Sequence, residues 1–477
     1  MELPSYFLNS TKVKKLFWII ILTSQNIFGQ ITGEWHTSFS VAGQSSRIDL
    51  FIDRVGRDGT LTIGLPDVPG FEPKPIQSSL ILKDSLTFTW DNIGLSFSGK
   101  YVSQGDSIYG SMNQSGLDWR VTFKRDIQVV KKVNRPQEPK PKFPYEIKEV
   151  EIRNGKNTIG ATLTLPTNKT NFPIVILSSG SGPQNRDCEI MGHKPFWVIA
   201  DYLTSNGIGV LRFDDRGVGK STGEFSKATL FDFASDVDAC YKYVKKNFKG
   251  HKIGLVGHSE GGMHTLIVAA KNPKIDFLIQ LAAVGTNGRD VLVEQQYLIP
   301  KSSGKSEAYA NANSLIYDSV TNLLLDNDKE RFPTKINDFL KRNFDQFPED
   351  YKKEGTIDEF SATLTNFLNN DWARQFMAFQ SYDYLFKINY PILVINGSED
   401  IQVPPIKSQE GFRNGFSNQS KSLNRSEIIL IPGLNHLMQT CKSCNIMEYG
   451  DIEETFSPIV LKAMVDWIND QVLLQKH

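Results

Sequence analysis

The chain has 477 residues, 40% of them hydrophobic, which is longer than a single hydrophobic core usually serves. Lysine plus arginine and aspartate plus glutamate number 53 each, so the formal net charge is zero. A chain without a basic excess has no electrostatic attraction to nucleic acid or to an anionic membrane surface. We therefore expect two domains and a small molecule as the ligand.

Residues 1–30 have the features of a secretory signal peptide. Lysines at positions 12, 14 and 15 precede an apolar run at 16–22, and polar residues lead to a cleavage site predicted near Gly29 or Gln30. The run is far shorter than the ~20 residues that a membrane-spanning helix needs. We expect export to the periplasm or the extracellular space, with an uncleaved anchor or a buried amphipathic segment as the alternative.

Residues 31–130 alternate apolar and polar side chains, which is typical of β-strands that are exposed on one face. In "SLTFTW", for example, Leu86, Phe88 and Trp90 share one face and the polar residues occupy the other. Turn sequences such as "RDGT" and "SQGDS" separate these runs. The pattern predicts a small all-β domain, built as an antiparallel sandwich or a barrel.

Prolines and lysines dominate residues 131–144, which predicts an extended linker and a domain boundary near residue 140. Residues 145–477 contain eight short apolar strands separated by helical segments, the pattern of an α/β domain with a mostly parallel sheet. A long stretch, residues 286–389, separates the sixth strand from the seventh. Because a compact sheet does not need this insert, we expect it to form a helical cap.

The segment "GLVGHSEGG" places Ser259 in a G-x-S-x-G motif between a predicted strand and a predicted helix. Such a turn holds the serine in an unfavourable backbone conformation that projects its hydroxyl outwards. Side chains at 257 or 261 would strike the neighbouring strand or helix, which explains the glycine at both positions. The motif predicts Ser259 as a nucleophile, and an ordinary glycine-rich turn is the alternative.

A serine nucleophile needs a histidine to accept its proton, and the chain has seven histidines. Position excludes five of them, which lie in the β domain, at the C-terminus, before a strand, beside Ser259 or inside the following helix. His436 follows the last strand and His193 follows the third. We prefer His436, because a loop that ends the last strand can place an imidazole over the serine.

The histidine in turn needs a carboxylate that fixes its tautomer. The segment "LVINGSEDIQVPP" ends the seventh strand, and we choose Asp400 over Glu399, with Asp383 as an outside candidate. Amide donors are also needed for the oxyanion that forms during acyl transfer. The N–H of Glu260, directly after the nucleophile, is the first donor, and that of Ser181 in "SSGSGPQNRD" is the second.

The sequence predicts neither a cofactor nor a metal. In "RFDDRGVGKS" the first glycine of a phosphate-binding loop is replaced by Asp214, and in "SGSGPQNRD" the third glycine of a dinucleotide motif is replaced by Asn185. Cys441 and Cys444 in "CKSC" have no second pair of residues to complete a zinc site. We expect them to form a local disulfide or to remain two unpaired thiols.

The segments "GHSEGG", "RFDDRGVGKS", "NGSEDIQVP" and "GLNHLMQ", taken together, resemble the α/β-hydrolase family over residues 145–475. More narrowly, "SGSGPQNRD", "GHKPF" and "NHLMQ" resemble exported bacterial serine esterases of the prolyl-aminopeptidase-like and dienelactone-hydrolase-like group, many with an N-terminal β domain. The resemblance implies Ser259 as nucleophile, Asp400 as acid and His436 as base. The sequence departs from that pattern at Asn185 and at "CKSC".

These residues predict a serine hydrolase that cleaves small carboxylic esters through an acyl-enzyme. A serine aminopeptidase acting on short peptides is the alternative within the same chemistry. It would need a carboxylate in the cap to hold the substrate ammonium, and Glu294, Asp318 and Glu359 are available there.

A binding protein with a vestigial hydrolase domain is the alternative from a different class. In that case Trp35, Trp90 and Trp119 of the β domain would bind a glycan or a lipid. All three lie on the apolar phase of their strands, which favours packing in a core.

Overall fold

The computed structural model describes residues 31–41, 44–53, 59–66, 72–76, 78–82, 84–90, 95–102, 106–114, 117–125, 133–324, 328–417 and 426–470. The predicted signal peptide lies outside these residues. The chain divides into two compact units, with the division between residues 132 and 133. Among the helices described, none is both long enough and apolar enough to cross a membrane.

The first unit is one antiparallel sheet, whose described strands are β1 (Gly33–Val41), β2 (Gln44–Ile52), β3 (Leu61–Gly64), β4 (Lys74–Ile76), β5 (Ser78–Ile81), β6 (Ser85–Trp90), β7 (Leu95–Val102), β8 (Ser107–Gln114) and β9 (Leu117–Lys124). Their order in the sheet is β4-β3-β2-β1-β9-β8-β7-β6-β5. The edge strands β4 and β5 are therefore neighbours along the chain, as in a barrel-like meander. Of the two architectures expected, the barrel describes this unit better than a sandwich of two sheets.

Alternate side chains of these strands form the core of the first unit, as the sequence pattern predicts. Leu86, Phe88 and Trp90 are all buried on the same face of β6. Trp35 is fully buried and donates its indole N–H to the carbonyl oxygen of Ile31 at 2.7 Å. The side chain of Trp119 is not among those described. Trp35 and Trp90 therefore pack in the core and are not exposed for binding a glycan or a lipid.

The second unit contains an eight-stranded sheet, formed by β10 (Tyr145–Asn154), β11 (Asn157–Pro166), β12 (Ile174–Ser178), β13 (Gly209–Phe213), β14 (Ile253–His258), β15 (Phe277–Leu281), β16 (Ile392–Gly397) and β17 (Glu427–Ile431). Their order is β10-β11-β13-β12-β14-β15-β16-β17. The strands β12 to β17 pair in parallel, whereas β11 pairs antiparallel with both of its neighbours. This confirms the predicted mostly parallel sheet of eight strands.

The described helices of the second unit are α1 (Pro195–Ser205), α2 (Leu230–Asn247), α3 (Glu260–Lys271), α4 (Gly288–Ser302), α5 (Glu307–Leu324), α6 (Phe332–Asn343), α7 (Glu349–Lys352), α8 (Ile357–Leu368), α9 (Asp371–Ala378), α10 (Tyr382–Leu385), α11 (Pro405–Ser417) and α12 (Pro458–Ile468). Every residue of β12, β14 and β15 is buried, because apolar helix faces pack on both sides of them. The helices α4 to α10 all fall between β15 and β16, where the helical cap insert is predicted.

The sheet reverses its strand order at β12, and the position of the candidate site follows from this reversal. From β12 the chain passes through α1 to β13 on one side, whereas β14 lies on the other side. Ligands of open α/β sheets bind at such a point, beyond the carboxyl ends of the strands. The loops that follow β12 and β14 begin at that point, and they carry Ser181 and Ser259.

Residues 133–144, which belong to the predicted linker, contain neither helix nor strand but pack against the rest of the second unit. The guanidinium of Arg135 donates hydrogen bonds of 2.6–3.2 Å to the backbone carbonyls of Met191, Gly192, Gly450 and Ile452. This end of the segment is therefore held by specific contacts.

Candidate active site

Ser259 occupies the turn between β14 and α3 in a strained backbone conformation. Its φ is 56° and its ψ is −124°, a combination that residues with a side chain rarely adopt. A Cβ at Gly257 would lie 2.5 Å from the carbonyl oxygen of Gly261, and one at Gly261 would lie 2.2 Å from that of Ser178. Only glycine fits at these two positions, for the steric reason expected from the sequence.

The hydroxyl of Ser259 is available to a ligand. The residue is half-buried, and in the part of the chain that the structure describes its hydroxyl has no hydrogen-bond partner. The Ser259 N–H donates to the carbonyl oxygen of Leu281 at 3.0 Å, which fastens the turn to β15. A Cβ placed on Gly180 would lie 2.9 Å from Ser259 Cβ and 3.4 Å from its Oγ. The loop after β12 therefore lies directly beside the serine hydroxyl.

Asp400 and His436 meet at the carboxyl ends of β16 and β17. His436 Nδ1 donates a hydrogen bond of 2.8 Å to Asp400 Oδ2. The other carboxylate oxygen, Oδ1, accepts the backbone N–H groups of Gln402 at 2.8 Å and Val403 at 2.9 Å. These bonds orient a buried carboxylate toward the imidazole, and they leave His436 Nε2 as the nitrogen that can accept a proton.

The two other carboxylates considered from the sequence lie elsewhere. Glu399 is exposed and accepts a hydrogen bond of 2.8 Å from the hydroxyl of Ser398. Asp383 is exposed in the first turn of α10. Of the three candidates, only Asp400 is hydrogen-bonded to His436.

His258 connects the turn of Ser259 to the loop of His436. The two imidazole rings lie 5.0 Å apart between centroids, and His258 Nε2 donates to the backbone carbonyl of His436 at 2.9 Å. The loop of His436 is thereby held beside the residue that precedes Ser259. Ser259, Asp400 and His436 thus converge at one edge of the sheet.

From the environment of His258 we predict how the free energy of unfolding changes with pH. Burial, followed by the nearby His436 ring, lowers the pKa of His258 from 6.5 to about 4. The unfolded chain therefore takes up this proton first as the pH falls from 6.5 to 4, and the free energy of unfolding falls in that window. Between pH 7 and pH 5 the loss from this group is about 2 kcal/mol. Denaturant unfolding at both pH values should show a smaller loss for His258→Gln than for the parent, and an equal loss would contradict the assignment.

His193, the second histidine considered from the sequence, has both ring nitrogens bonded to residues other than Ser259. It is fully buried, with Nδ1 2.9 Å from Thr455 Oγ1 and Nε2 2.9 Å from the carbonyl oxygen of Tyr449. Burial, and after it the charge of Arg135, lowers the pKa of His193 to about 4. Both ring nitrogens are occupied by structural contacts, so His193 is a neutral core histidine.

The two predicted oxyanion donors flank Ser259. Glu260 is the first residue of α3, where a backbone N–H has no acceptor within the helix. The N–H of Ser181 has no acceptor in the part of the chain that the structure describes. Asp215 stabilises the loop that carries Ser181. Its Oδ1 accepts a hydrogen bond of 3.1 Å from the hydroxyl of Ser179, and its Oδ2 accepts one of 2.9 Å from the N–H of Gln184. Both predicted donor groups therefore remain available to a ligand.

Cys441 and Cys444 form a disulfide in the loop that follows His436. Glu448 closes this loop by accepting the backbone N–H groups of Lys442, Ser443 and Cys444 at 2.7–2.8 Å. Of the two arrangements expected from the sequence, the structure has the disulfide.

The state of the four cysteines allows us to predict the number of thiols that a titration should detect. Cys188 and Cys240 are free and buried, and burial raises the pKa of both thiols. With Ellman's reagent we expect almost no reaction of the native protein and two thiols after denaturation. Denaturation with reduction should give four. Four thiols without a reductant would show that the disulfide is absent.

Two residues that were not predicted from the sequence contact this site. His264 lies one helical turn after Glu260 and is 3.3 Å from its carboxylate, a pairing that the i, i+4 spacing could have indicated. Trp372 comes from α9 of the cap, and its indole N–H donates to the same carboxylate at 2.7 Å. No sequence signal connects Trp372 to the site, because the contact depends on how the cap packs.

Comparisons with known proteins agree with this architecture. Residues 195–314 match the family described as Hydrolase_4: Serine aminopeptidase, S33. Esterase EstD of Thermotoga maritima is 28% identical over 151 residues, which span 32% of this chain and 35% of that esterase. The match therefore spans about a third of the length of that relative. An uncharacterised 31.7 kDa protein of Escherichia coli is 23% identical over 256 residues, 52% of this chain and 79% of that protein.

Solved structures give a more distant comparison. An esterase of Pyrococcus furiosus aligns with a TM-score of 0.42 and 15% identity, covering 72% of this chain and 99% of the esterase. The strand order of the second unit, the strained serine after its fifth strand and the match to residues 195–314 agree with one another. Together they identify the second unit as an α/β-hydrolase fold.

Proposed function

We propose that this protein is a serine hydrolase that cleaves small carboxylic esters through an acyl-enzyme. The observation that carries the proposal is the convergence of three groups at one edge of the sheet. These are a strained serine with an available hydroxyl, a histidine beside its turn and a buried carboxylate bonded to that histidine. The likeness to Esterase EstD supports ester substrates.

In the proposed reaction each of these groups has a role. Ser259 Oγ attacks the ester carbonyl while His436 Nε2 takes its proton, and Asp400 stabilises the imidazolium that forms. The N–H groups of Ser181 and Glu260 donate to the oxyanion, each contributing about 3 to 4 kcal/mol to the transition state. His436 then protonates the departing alcohol, which leaves the acyl group on Ser259. A water molecule that gives a proton to His436 releases the carboxylic acid and restores the serine.

Labelling with a fluorophosphonate probe tests this proposal most directly. The probe forms a covalent bond with an activated serine, so peptide mass spectrometry should find it on Ser259. p-Nitrophenyl esters of graded acyl length then define the preferred acyl group. Labelling of a different serine, or no labelling of a protein that is folded, would contradict the proposal.

A serine aminopeptidase is the second candidate, because the matched family carries that description. The cap carboxylates considered for binding a substrate ammonium are, however, engaged within the protein. Glu294 pairs with Lys407 at 2.7 Å, and Asp318 pairs with Arg289 at 2.7 Å. Glu359 forms the capping box of α8. We therefore expect hydrolysis of esters and none of aminoacyl-p-nitroanilides, and the opposite result would favour the aminopeptidase.

We also propose that the protein is exported. The predicted signal peptide is one argument for export. The disulfide between Cys441 and Cys444 is a second, because structural disulfides persist in oxidising compartments outside the cytosol. Fractionation of cells that produce the full chain tests this, with the mature N-terminus expected near residue 30.

A further inference from the structure

The carboxylate of Glu260 is buried beside the nucleophile, and the proposed reaction uses only the backbone N–H of this residue. Its Oε2 accepts the hydroxyl of Ser181 at 2.5 Å. Its Oε1 accepts the indole N–H of Trp372 at 2.7 Å and lies 3.3 Å from His264 Nε2. The carboxylate therefore joins the oxyanion loop, the cap helix α9 and the helix α3 that begins at the nucleophile.

Three serines, at the end of β12 and in the following loop that carries the second oxyanion donor, have side-chain contacts that hold this segment. Ser178 Oγ lies 3.3 Å from His264 Nδ1, and Ser179 Oγ donates to Asp215 Oδ1 at 3.1 Å. The third serine, Ser181, is the one bonded to Glu260. Because Gly180 lies against Ser259, a movement of this loop would also displace the donor beside the serine hydroxyl.

The charge of Glu260 depends on these partners. Burial opposes ionisation, but His264, Ser181 and Trp372 outweigh it and hold the pKa of Glu260 below its usual range. An ionised carboxylate in a buried site is stable only when its oxygens are hydrogen-bonded. Loss of one donor would therefore disturb the remaining bonds as well.

We propose that the Glu260 carboxylate is a positioning residue that holds the oxyanion hole in place and couples it to the cap through Trp372. This inference rests on the proposed esterase activity. When α9 packs against Glu260, the hydrogen bond from Trp372 holds the carboxylate and thereby the position of Ser181. The N–H of Ser181 must lie within a fraction of an ångström of the geometry that stabilises the oxyanion. Packing of the cap thereby affects the chemical step as well as the binding of the substrate.

Two substitutions remove one donor to Glu260 each and delete none of the groups that take part in the proposed reaction. Trp372→Phe deletes the indole N–H and keeps an aromatic ring against Phe367 and Phe376, which lie 6.2 and 5.3 Å away between centroids. Ser181→Ala deletes the hydroxyl and keeps the backbone N–H. Trp467→Phe is the matched control, because the buried indole N–H of Trp467 has no partner in the part of the chain that the structure describes.

We expect Trp372→Phe and Ser181→Ala each to lower kcat by about 10-fold to 100-fold with little change in KM, because the oxyanion exists only after the attack. The double variant should lose less than the product of the two factors, since both act through one carboxylate. The Kd of a trifluoromethyl ketone, which forms a tetrahedral adduct with an oxyanion, should rise by the same factor as kcat falls. Rates are expressed per active site, with the active sites counted by titration with the fluorophosphonate probe. The kcat and KM of Trp467→Phe should match those of the parent.

The proposal is overturned if Trp372→Phe behaves like Trp467→Phe, if the two losses multiply, or if the losses appear only in KM. Should Ser181→Ala fail to fold, Glu260→Gln replaces it, and the same reduction of kcat and of inhibitor affinity is expected. An inactive parent would overturn the proposed function together with this inference. An active parent that depends on Ser259 but is insensitive to these variants would overturn this inference alone.

Discussion

Ser259→Ala is expected to lower the turnover of p-nitrophenyl butyrate by about 10⁴-fold or more, because the proposed acyl-enzyme forms on the hydroxyl of Ser259. Alanine fits the turn as serine does, since the strain of a φ of 56° is shared by both residues. The steady-state rate of the purified variant, measured beside the parent, checks this result. The variant should also fail to react with the fluorophosphonate probe.

Ser303→Ala provides the control for this experiment. Ser303 is an exposed residue after α4 whose hydroxyl donates to the carbonyl oxygen of Ile299 at 2.9 Å. Its loss should change the rate by less than about twofold, as for most surface substitutions. If Ser259→Ala is folded, as judged by its thermal unfolding, and hydrolyses the ester at the parent rate, the nucleophile is a different group.

Asp400→Asn should lower kcat by as much as about 10⁴-fold while the protein stays folded. The amide oxygen of the new side chain can still accept the N–H groups of Gln402 and Val403, which now bond to Oδ1. Its NH₂ group would then face His436 Nδ1 and favour the tautomer with the proton on Nε2. An imidazole in that tautomer cannot accept the serine proton, so the chemical step fails without loss of the fold.

Glu399→Gln is the matched control, because Glu399 precedes Asp400 in the same loop and is exposed. It should leave kcat within about twofold of the parent value. Equal losses in the two variants would indicate a general disturbance of the loop. A parent-like rate for Asp400→Asn would remove Asp400 from the proposed mechanism.

The elements of the second unit could be predicted because their patterns are local. A strand covered on both faces is a short apolar run, and the sequence of β14 has this property without reference to any other part of the chain. The motif at Ser259 is also local in sequence, although only part of its steric cause is: Gly257 relieves a clash with Gly261 inside the turn, whereas a Cβ at Gly261 would meet the carbonyl oxygen of Ser178 at the end of β12. The strand pattern and the motif around Ser259 can therefore both be recognised from a few consecutive residues.

The barrel-like form of the first unit could not be predicted in the same way. Alternation in a strand such as β6 indicates which side chains are buried, and Leu86, Phe88 and Trp90 are buried as expected. It does not indicate which strands pair, because a sandwich and a barrel share the same alternation. The pairing of β1 with β9 joins residues far apart in the chain, such as His36 and Lys124.

By itself, the amino-acid sequence determined the strand–turn–helix unit around Ser259, the chain order of Ser259, Asp400 and His436 and the existence of a long insert. Only the tertiary structure decided that Asp400 and not Glu399 meets the imidazole, that His193 is a core residue and that Trp372 bonds to Glu260. The physical reason is the range of the interactions. Backbone strain and strand burial act over a few residues, whereas a hydrogen bond between distant segments depends on how the sheet, the loops and the cap pack together.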